Sequence, residues 1–417
     1  MTARLTPSQA MFLAEPKVQA VLALLNRDGE SARVIGGAVR NALLGLPVAD
    51  IDICTTALPE VVVARAKAAG YRCVPTGIEH GTVTIVVAGS PFEVTALRED
   101  IDTDGRHAVV RFGRDFKADA LRRDFTINSL GVDSDGTIHD YCGGLADIAS
   151  RRLRFIGDPA QRIAEDYLRI LRFFRFHAAF GTGELDRPGL LACIAGRAGL
   201  AQLSRERIRS EMLKLLAARR GPEAALAMQE AGLLGPLLGG APYSARLARV
   251  AGIEAARGTQ ADALVRIAAL AVMTFEDAAR MSERLRLSNA EATRLAAAAL
   301  ALPEFMPAYG PPPYGILREI LFAHKRQGAQ DAALLAHAGS SAAMDDAAWT
   351  SAWRFLRDTP EPRLPFGGTD VLARGMAGGK AVGDVLKRLQ ASWIRAGFPN
   401  DPAVLARLLD AAVAQPH

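Results

Sequence analysis

A change of sequence pattern near residue 158 divides the chain into two kinds of structure. Before it, short β-branched runs alternate with Gly, Pro and Asp and predict strands at "ARVIG", "DIDIC", "YRCVPT", "GTVTIVVAG" and "PFEVTAL". Helical stretches lie between them, at 38–44 and 59–69. After it, Ala, Leu and Arg recur at helical spacing with almost no strand signal. The sequence therefore predicts an α/β head, with a small mixed sheet and helices, followed by an all-helical remainder.

Clusters of glycine and proline divide the helical part further. They lie near 235–243, in "YGPPPYG" at 309–315 and in "LPFGG" at 364–368, and such clusters interrupt helices. A chain of 417 residues is also long enough for several domains. We therefore predict a head over 1–150, a helical neck over 151–235, a helical body over 236–320 and a helical tail over 321–417.

The charge balance of the chain permits a polyanionic partner without demonstrating one. Lysine and arginine outnumber the acidic residues 50 to 45, which gives a net charge of +5. The four cysteines make no C-x-x-C pair, which is typical of core residues in a reducing compartment and not of a disulfide frame or a zinc site. No apolar run approaches the roughly 20 residues of a membrane span, and the N-terminus lacks the pattern of a secretory leader. We expect a cytoplasmic protein with no membrane partner, and the sequence leaves its oligomeric state open.

Two aspartates in "ADIDIC" are the strongest chemical feature of the predicted head. In a strand, Asp50 and Asp52 project from one face while Ile51 and Ile53 enter the core. Carboxylates about 7 Å apart on one face repel each other unless a cation lies between them, and their oxygens suit Mg²⁺. A turn that caps a helix is the alternative explanation. Glu93, on another predicted strand, is either a third carboxylate of a two-metal site or an exposed strand residue.

A double glycine lies where the predicted strand "ARVI" passes into the predicted helix "AVRNALL". Without Cβ atoms, Gly36 and Gly37 let the backbone approach a phosphate closely, and the start of a helix presents free N–H groups to it. Arg40 adds a charged donor in the first turn. Paired glycines often only make a tight turn, but together with the aspartates about a dozen residues later they describe a triphosphate cradle beside a metal site.

Four segments of the chain together resemble one family. "GGAVRNALLG" followed by "DIDICT" is similar to the first motif of the class II tRNA nucleotidyltransferases, or CCA-adding enzymes, and of their relatives, the bacterial poly(A) polymerases. "RRDFTINSL" at 122–130 resembles the second motif, "EDYLRILRFFRF" at 165–176 the base-contacting segment, and "SRERIRSEMLKLL" at 204–216 a further helical motif. The resemblance covers roughly residues 32–216 in the family's order. Two positions depart from the family's pattern, with Asn41 in place of Asp and Tyr167 in place of Pro.

The resemblance implies roles in nucleotide binding. Residues of the second motif would contact phosphate and ribose, and the base-contacting segment would read the base. Asp166 and Arg169 are predicted to share a helix face and to hydrogen-bond the edge of the incoming base, which favours C or A over U or G. A simple ion pair on a solvated face is the alternative. The predicted nucleotide-binding residues are Gly36, Gly37, Arg40, Arg122, Arg123, Asp124, Asn128, Asp166, Arg169, Arg172 and Arg175, the predicted catalytic residues are Asp50, Asp52 and Glu93, and the predicted metal ligands are Asp50 and Asp52.

The segment 98–123 carries many charges of both signs and little regular pattern. Such a segment within a compact domain is often functional, and a disordered surface insertion is the alternative. By the resemblance it corresponds to a flexible element needed for adding the final A, and its full length favours complete CCA addition.

The resemblance implies a template-independent transferase that adds CCA to tRNA 3′ ends from CTP and ATP, uses Mg²⁺ and releases pyrophosphate. The alternatives within the enzyme class are a poly(A) polymerase and a CC-only or A-only transferase. A non-catalytic RNA-binding protein on the same scaffold is a further alternative. The intact Asp50 and Asp52 argue against it, because a chain without catalysis has no reason to keep two repelling carboxylates in a strand.

Overall fold

The computed structural model describes residues 3–77, 81–104, 107–305, 310–376 and 378–414. The chain divides into two compact units, Met1–Leu233 and Leu234–His417. The first unit holds the strands of the described residues, and the second is built from helices. The predicted fold class, an α/β head followed by helices, is therefore confirmed, while the finer division into neck, body and tail stays a prediction.

The strands of the head form a mixed sheet, as predicted. In the described residues, β1 to β9 span Ala32–Ile35, Asp52–Thr55, Arg72–Gly77, Thr82–Val87, Ser90–Ala96, Arg98–Asp104, His107–Phe112, Gly131–Val132 and Ile138–His139. Seven of them form one sheet in the order β3-β4-β5-β2-β1-β8-β9. Strands β2 and β5 are parallel, and the other neighbouring pairs of this sheet are antiparallel.

The register of the sheet places two acidic residues side by side. Ile35 of β1 pairs with Asp52 of β2, which in turn pairs with Glu93 of β5. Paired residues project to the same face of a sheet, and both acidic residues are exposed. The next pair in register, Ile53 and Val94, is buried. The alternation therefore fixes the two carboxylates on one face, beside the end of β1.

The helices of the first unit begin where local signals place them. Asp158 accepts a hydrogen bond from the N–H of Ala160, and Pro159 takes the first helical position, so this start agrees with the sequence. The ring of Phe155 packs between Phe125 and Phe173, with centroids 4.8 and 5.4 Å away. These rings tie the seventh helix to the head. The helices α1 to α10 span Pro16–Leu25, Gly37–Leu43, Pro59–Ala68, Phe116–Leu121, Gly144–Ala149, Pro159–Glu165, Leu168–Phe180, Arg187–Ala195, Arg205–Ala217 and Gly221–Glu230.

The core of the second unit includes large aromatic side chains. Trp349 and Trp393 are buried, and Trp353 is half-buried. No helix in the described part of the chain is both long and apolar enough to cross a membrane. The helices α11 to α20 span Leu234–Leu238, Ser244–Arg257, Ala263–Ala271, Phe275–Arg284, Asn289–Ala301, Tyr314–Gly339, Ala347–Asp358, Gly368–Leu372, Lys380–Arg395 and Pro402–Ala414.

Three expectations about local structure are wrong. Asp50 precedes β2 and does not lie in it. The stretch "DFTINSL" has the apolar and β-branched residues of a strand, but it contains a 3₁₀ turn over Thr126–Asn128, after which Ser129 donates back to the Thr126 carbonyl. The segment 98–123 is regular, with β6 and β7 paired antiparallel and followed by α4. Strand pairing between backbones produces little recognisable pattern in a sequence with so many charged residues. Residues 105 and 106 lie outside the described residues.

Candidate active site

A cleft of about 440 Å³ lies in the first unit. It is bordered by β2, the turn into α2, the residues after α4, and the first turns of α7 and α9. Its lining includes eleven of the fourteen predicted site residues, together with Leu168, Phe176 and Arg207, which the sequence did not single out. Asp50, Glu93 and Arg175 lie outside the lining. The predicted residues in the lining are Gly36, Gly37, Arg40, Asp52, Arg122, Arg123, Asp124, Asn128, Asp166, Arg169 and Arg172.

Asp52 lies in an electrostatic environment that disfavours its charge. Although Asp52 is exposed, neighbouring protein atoms partly desolvate its carboxyl and raise its pKa, and the negative charges of Glu93 and Asp50 raise it further, while Arg123 acts in the opposite direction. The fold by itself therefore supplies too little positive charge at this point. A divalent cation bound beside Asp52 would reverse this balance.

The carboxylates fit Mg²⁺ when substrate completes the coordination. Within residues 3–77, 81–104, 107–305, 310–376 and 378–414, no group of three or more His, Cys, Asp or Glu side chains could hold a metal ion. Mg²⁺ usually takes only one or two protein carboxylates and fills its shell with phosphate oxygens and water. Asp50 and Asp52 match that pattern, with Glu93 on the adjacent strand. Their assignment as metal ligands stays a prediction.

Gly36 holds a backbone conformation that other residues rarely adopt. Its φ is 67° and its ψ is −121°, and a Cβ atom there would lie 3.3 Å from Nη1 of Arg123. Its N–H donates to the carbonyl of Leu130 at 3.0 Å. The glycine therefore lets the chain turn sharply from β1 into α2 while Arg123 stays close.

Arg40 is buried beneath the cleft instead of projecting freely into it. Its Nη1 donates to Oδ1 of Asn128 at 2.6 Å, its Nη2 donates to Oδ1 of Asn41 at 2.9 Å, and its guanidinium lies 4.0 Å from the ring centroid of Phe180. Burial lowers the pKa of Arg40 to about 10, and the charge of Arg175 contributes. The amide of Asn41 thus holds Arg40 although it replaces the acidic residue of the family's pattern.

Asp124 links the second motif to α7. One carboxylate oxygen accepts from the N–H of Phe125 at 2.8 Å and from Nδ2 of Asn128 at 3.2 Å. The other accepts from Nε of Arg172 at 2.6 Å. Arg175, one turn further along α7, donates to the buried carboxylate of Glu211 on α9. Arg172 and Arg175 therefore join α7 to other elements of the first unit.

A residue that the sequence did not single out, Asp119, holds both arginines of the second motif. Its Oδ1 accepts from Nε of Arg122 at 2.9 Å, and its Oδ2 accepts from Nη2 of Arg123 at 2.9 Å. Burial by itself would raise the pKa of the Asp119 carboxyl, but the charges of Arg123 and Arg122 bring it below its ordinary value. Asp119 lies three and four residues before the two arginines, at the end of α4, and this spacing along the sequence could have identified it.

The base-contacting segment is a break between two helices. Asp166 has an extended backbone with φ −157°, and α7 begins only at Leu168, so the prediction that Asp166 and Arg169 share a helix face is wrong. The Asp166 side chain accepts from the N–H of Leu168 at 3.0 Å, and such a local bond competes with helix formation. Nη1 of Arg169 donates instead to Glu165 at 2.5 Å.

Two further residues complete the contacts of the base-contacting segment. Glu165 lies four residues before Arg169, and that spacing on the sequence could have identified it. Arg207 of α9 donates from Nη2 to Oδ2 of Asp166 at 2.7 Å. The two partners are 41 residues apart, so no local spacing predicts their contact.

Comparisons with known proteins match the part of the chain that contains this site. The family described as "Poly A polymerase head domain" matches residues 32–154, and that described as "Probable RNA and SrmB- binding site of polymerase A" matches residues 191–244. The chain is 42% identical over 222 residues to the mitochondrial CCA tRNA nucleotidyltransferase 1 of Mus musculus, a match that covers 52% of this chain and 50% of that protein. It is 40% identical over 215 residues to the CCA-adding enzyme of Geobacillus thermodenitrificans, which covers 51% of this chain and 52% of that protein.

These matches span about half the length of the curated relatives, but the fold agrees over nearly the whole chain. The crystal structure of the Bacillus stearothermophilus CCA-adding enzyme in complex with CTP is 27% identical and has a TM-score of 0.72. The likeness covers 95% of this chain and 98% of that one. By its motifs, its matched family segments and its fold, the chain is similar to the class II family of CCA-adding enzymes and poly(A) polymerases.

Proposed function

We propose that this chain is a template-independent RNA nucleotidyltransferase that adds CCA to the 3′ ends of tRNA from CTP and ATP and releases pyrophosphate. One observation carries the proposal: a single cleft is lined by the carboxylate of Asp52, the Gly36 turn and the Asp166–Arg169 segment. The residues predicted to bind the metal, the phosphates and the base would thus lie within reach of one nucleotide. The names of the relatives support the choice of reaction.

In the proposed reaction the 3′-hydroxyl oxygen of the RNA attacks the α-phosphorus of the nucleotide in line. A new phosphorus–oxygen bond to the RNA forms, the bond to the β-phosphate oxygen breaks, pyrophosphate leaves, and the hydroxyl proton passes to solvent. Mg²⁺ held by Asp50 and Asp52, with Glu93 assisting, would stabilise the charge on the attacking and leaving oxygens. The protein's own part is to bind and orient the nucleotide.

Each wall of the cleft has a distinct part in that orientation. The backbone at Gly36 and Gly37 allows close approach of the triphosphate, and the guanidinium groups of Arg122 and Arg123 add positive charge. The network of Arg40, Asn128 and Asp124 would face the ribose. Asp166 and Arg169 would read the base, because cytosine N4 and adenine N6 donate to a carboxylate whereas uracil O4 and guanine O6 do not.

The helical part of the chain would bind the tRNA by shape and phosphate contacts, so affinity should fall as salt rises. The charge surplus of the chain agrees with a polyanionic partner. The cytoplasmic location stays a prediction, and the similar mouse and human proteins are named as mitochondrial. A poly(A) polymerase is the second candidate, because the family matched over residues 32–154 takes its description from that activity.

The Gly36 turn provides a test of the triphosphate cradle. Gly36→Ala is expected to lower the free energy of unfolding by about 2 kcal/mol, because the positive φ strains any residue with a Cβ atom, and to weaken CTP binding through the contact with Arg123. Gly45 also has a positive φ, of 68°, but a Cβ atom there meets nothing within 4 Å. Gly45→Ala should therefore share the strain and leave CTP binding intact. Urea unfolding and CTP titration measure both effects, and equal CTP affinity in the two variants would contradict the cradle.

The decisive experiment supplies tRNA that ends before the CCA, with Mg²⁺ and CTP, ATP or both, and sequences the 3′ ends. Products that stop at CCA would establish the proposed function. CC or a single A would identify a split-function transferase, and long A tails a poly(A) polymerase. Retained tRNA binding with no addition under any condition would overturn the catalytic proposal and favour an RNA-binding protein. Addition should stop when a chelator removes the metal.

A further inference from the structure

We propose that Arg207 is a positioning residue for base selection, which fixes the Asp166 carboxylate in the direction that accepts from the amino group of C or A. The proposal rests on the proposed function, in which Asp166 reads the base. It concerns a side chain on α9, outside the segment that the sequence associates with base reading. Its support is the set of contacts around Asp166 and α9.

Both carboxylate oxygens of Asp166 are engaged. Oδ1 accepts from the N–H of Leu168 at 3.0 Å, and Oδ2 accepts from Nη2 of Arg207 at 2.7 Å. Two donors on different elements prevent the carboxylate from rotating about its side-chain bonds, so its remaining lone pairs keep fixed directions. Asp166, Leu168 and Arg207 all line the cleft, which places that fixed acceptor on the cleft wall.

Arg207 is itself held in place by α9. Its N–H donates to Oγ of Ser204, the residue that caps the start of α9, at 3.4 Å. One turn later, Glu211 of α9 accepts from Arg175 of α7. Helix α9 thus contacts both Asp166, two residues before α7, and the middle of α7, so the position of Arg207 relative to Asp166 is set by packing.

The guanidinium of Arg169 is held by partners other than Asp166. It donates to Glu165 at 2.5 Å, to the carbonyl of Arg162 at 2.8 Å and to the carbonyl of Arg122 at 3.4 Å. Among the described residues, Asp166 forms its ion pair with Arg207. A fixed carboxylate attracts the amino group of C or A and repels the carbonyl oxygen that U or G presents instead. Without the contact to Arg207 the carboxylate can rotate away from the base, and the discrimination against U and G then falls.

The test compares CTP with UTP in the wild type and in Arg207→Met, Arg207→Lys, Asp166→Asn and the Arg207→Met/Asp166→Asn double variant. We expect Arg207→Met to lower the ratio of kcat/KM for CTP over UTP by about tenfold or more, the size of one lost charged hydrogen bond. Most of the change should lie in KM, with kcat for CTP little altered. Arg207→Lys should recover part of the ratio, and Arg207→Met should add nothing once Asp166 is already Asn.

Arg187→Met is the matched control, because Arg187 is an exposed arginine at the start of α8 in the same unit. It should keep the wild-type ratio. Thermal unfolding of every variant checks the fold, and Arg207→Lys decides the question if Arg207→Met does not fold. An unchanged ratio in a folded Arg207 variant would overturn the proposal, and so would a further loss in the Asp166→Asn background, since Arg207 would then act on the nucleotide directly.

Titration of CTP and UTP without RNA separates this inference from the proposed function. If the wild type adds no nucleotide but binds CTP more tightly than UTP, the proposed function fails, and the ratio of the two Kd values in the Arg207 variants still decides the inference. If the wild type shows no preference between the two nucleotides, the inference is overturned.

Discussion

Replacing Asp52 by asparagine is expected to slow nucleotide addition at least about a thousandfold, which corresponds to roughly 4 kcal/mol in the barrier. Asp52 is the predicted metal ligand that lines the cleft, and it lies in register with Glu93 on the adjacent strand. An amide of the same shape keeps the packing but removes a negative charge from the cation site. The measurement is the single-turnover rate of C addition to tRNA that ends before the CCA.

The same substitution should not weaken the fold. Partial desolvation and the neighbouring carboxylates raise the pKa of Asp52 above its ordinary value of 3.8. The stabilising contribution of the neutral form is therefore present below pH 3.8 and is lost as the pH rises through the folded-state pKa. At neutral pH without metal, Asp52→Asn should unfold at the same temperature as the wild type or higher, and Mg²⁺ with CTP should raise the Tm of the wild type more than that of the variant.

Asp28→Asn is the matched control for this experiment. Asp28 forms an exposed ion pair with Arg65, and such pairs contribute little to stability. It should keep both activity and Tm. Unchanged turnover of Asp52→Asn would remove the metal assignment, and a large fall in its Tm would mean that the loss of activity reports unfolding. Binding of tRNA should persist in both variants.

Removing the Asp119 carboxylate is expected to have the largest effect on stability. Asp119→Ala leaves Arg122 and Arg123 without the buried acceptor that both share, and breaking such a pair from one side costs about 3 kcal/mol or more. The affinity for CTP should fall in parallel, because both arginines line the cleft and would lose their fixed positions. Urea unfolding and CTP titration measure the two effects.

Asp115 provides a control on the same helix. It is exposed, and it caps the start of α4 by accepting from the N–H of Lys117 at 2.8 Å, so Asp115→Ala should cost only about 1 kcal/mol. Equal losses in the two variants would contradict the role of Asp119. A pH series adds a second check, because the lowered pKa of Asp119 means that its stabilisation is present above its ordinary pKa of 3.8 and is lost as the pH falls below that value.

Much of the head could be predicted because its signals are local. The alternation of "DIDIC" placed the buried Ile53 correctly and placed Asp52 on the open face, although the strand begins at Asp52 and not before it. Gly36 was identified because a double glycine lies where a strand passes directly into a helix, and the structure gives Gly36 a positive φ there. The start of α6 also has local signals, the cap by Asp158 and the proline at the first helical position.

The base-contacting segment shows where local reasoning failed. A regular helix through 165–176 puts Asp166 and Arg169 on one face, but the Asp166 side chain bonds to the backbone of Leu168 and the helix breaks there. The local sequence is therefore compatible both with a continuous helix and with a helix break at Asp166. Packing of α7 against α9, which brings Arg207 to Asp166, favours the broken form.

The sequence by itself determined which residue types lie at the cleft and in which order, since strand alternation, glycine turns and helix caps depend on neighbours within a few positions. Only the tertiary structure decided which acidic side chain pairs with which basic side chain. Arg172 reaches Asp124 across 48 residues, Arg175 reaches Glu211 across 36, and Arg207 reaches Asp166 across 41. With 50 basic and 45 acidic residues in the chain, the sequence is compatible with many alternative ion pairs. The packing of α7, α9 and the second motif selects among them, because charge pairing in proteins acts over a few ångströms and carries no signature along the chain.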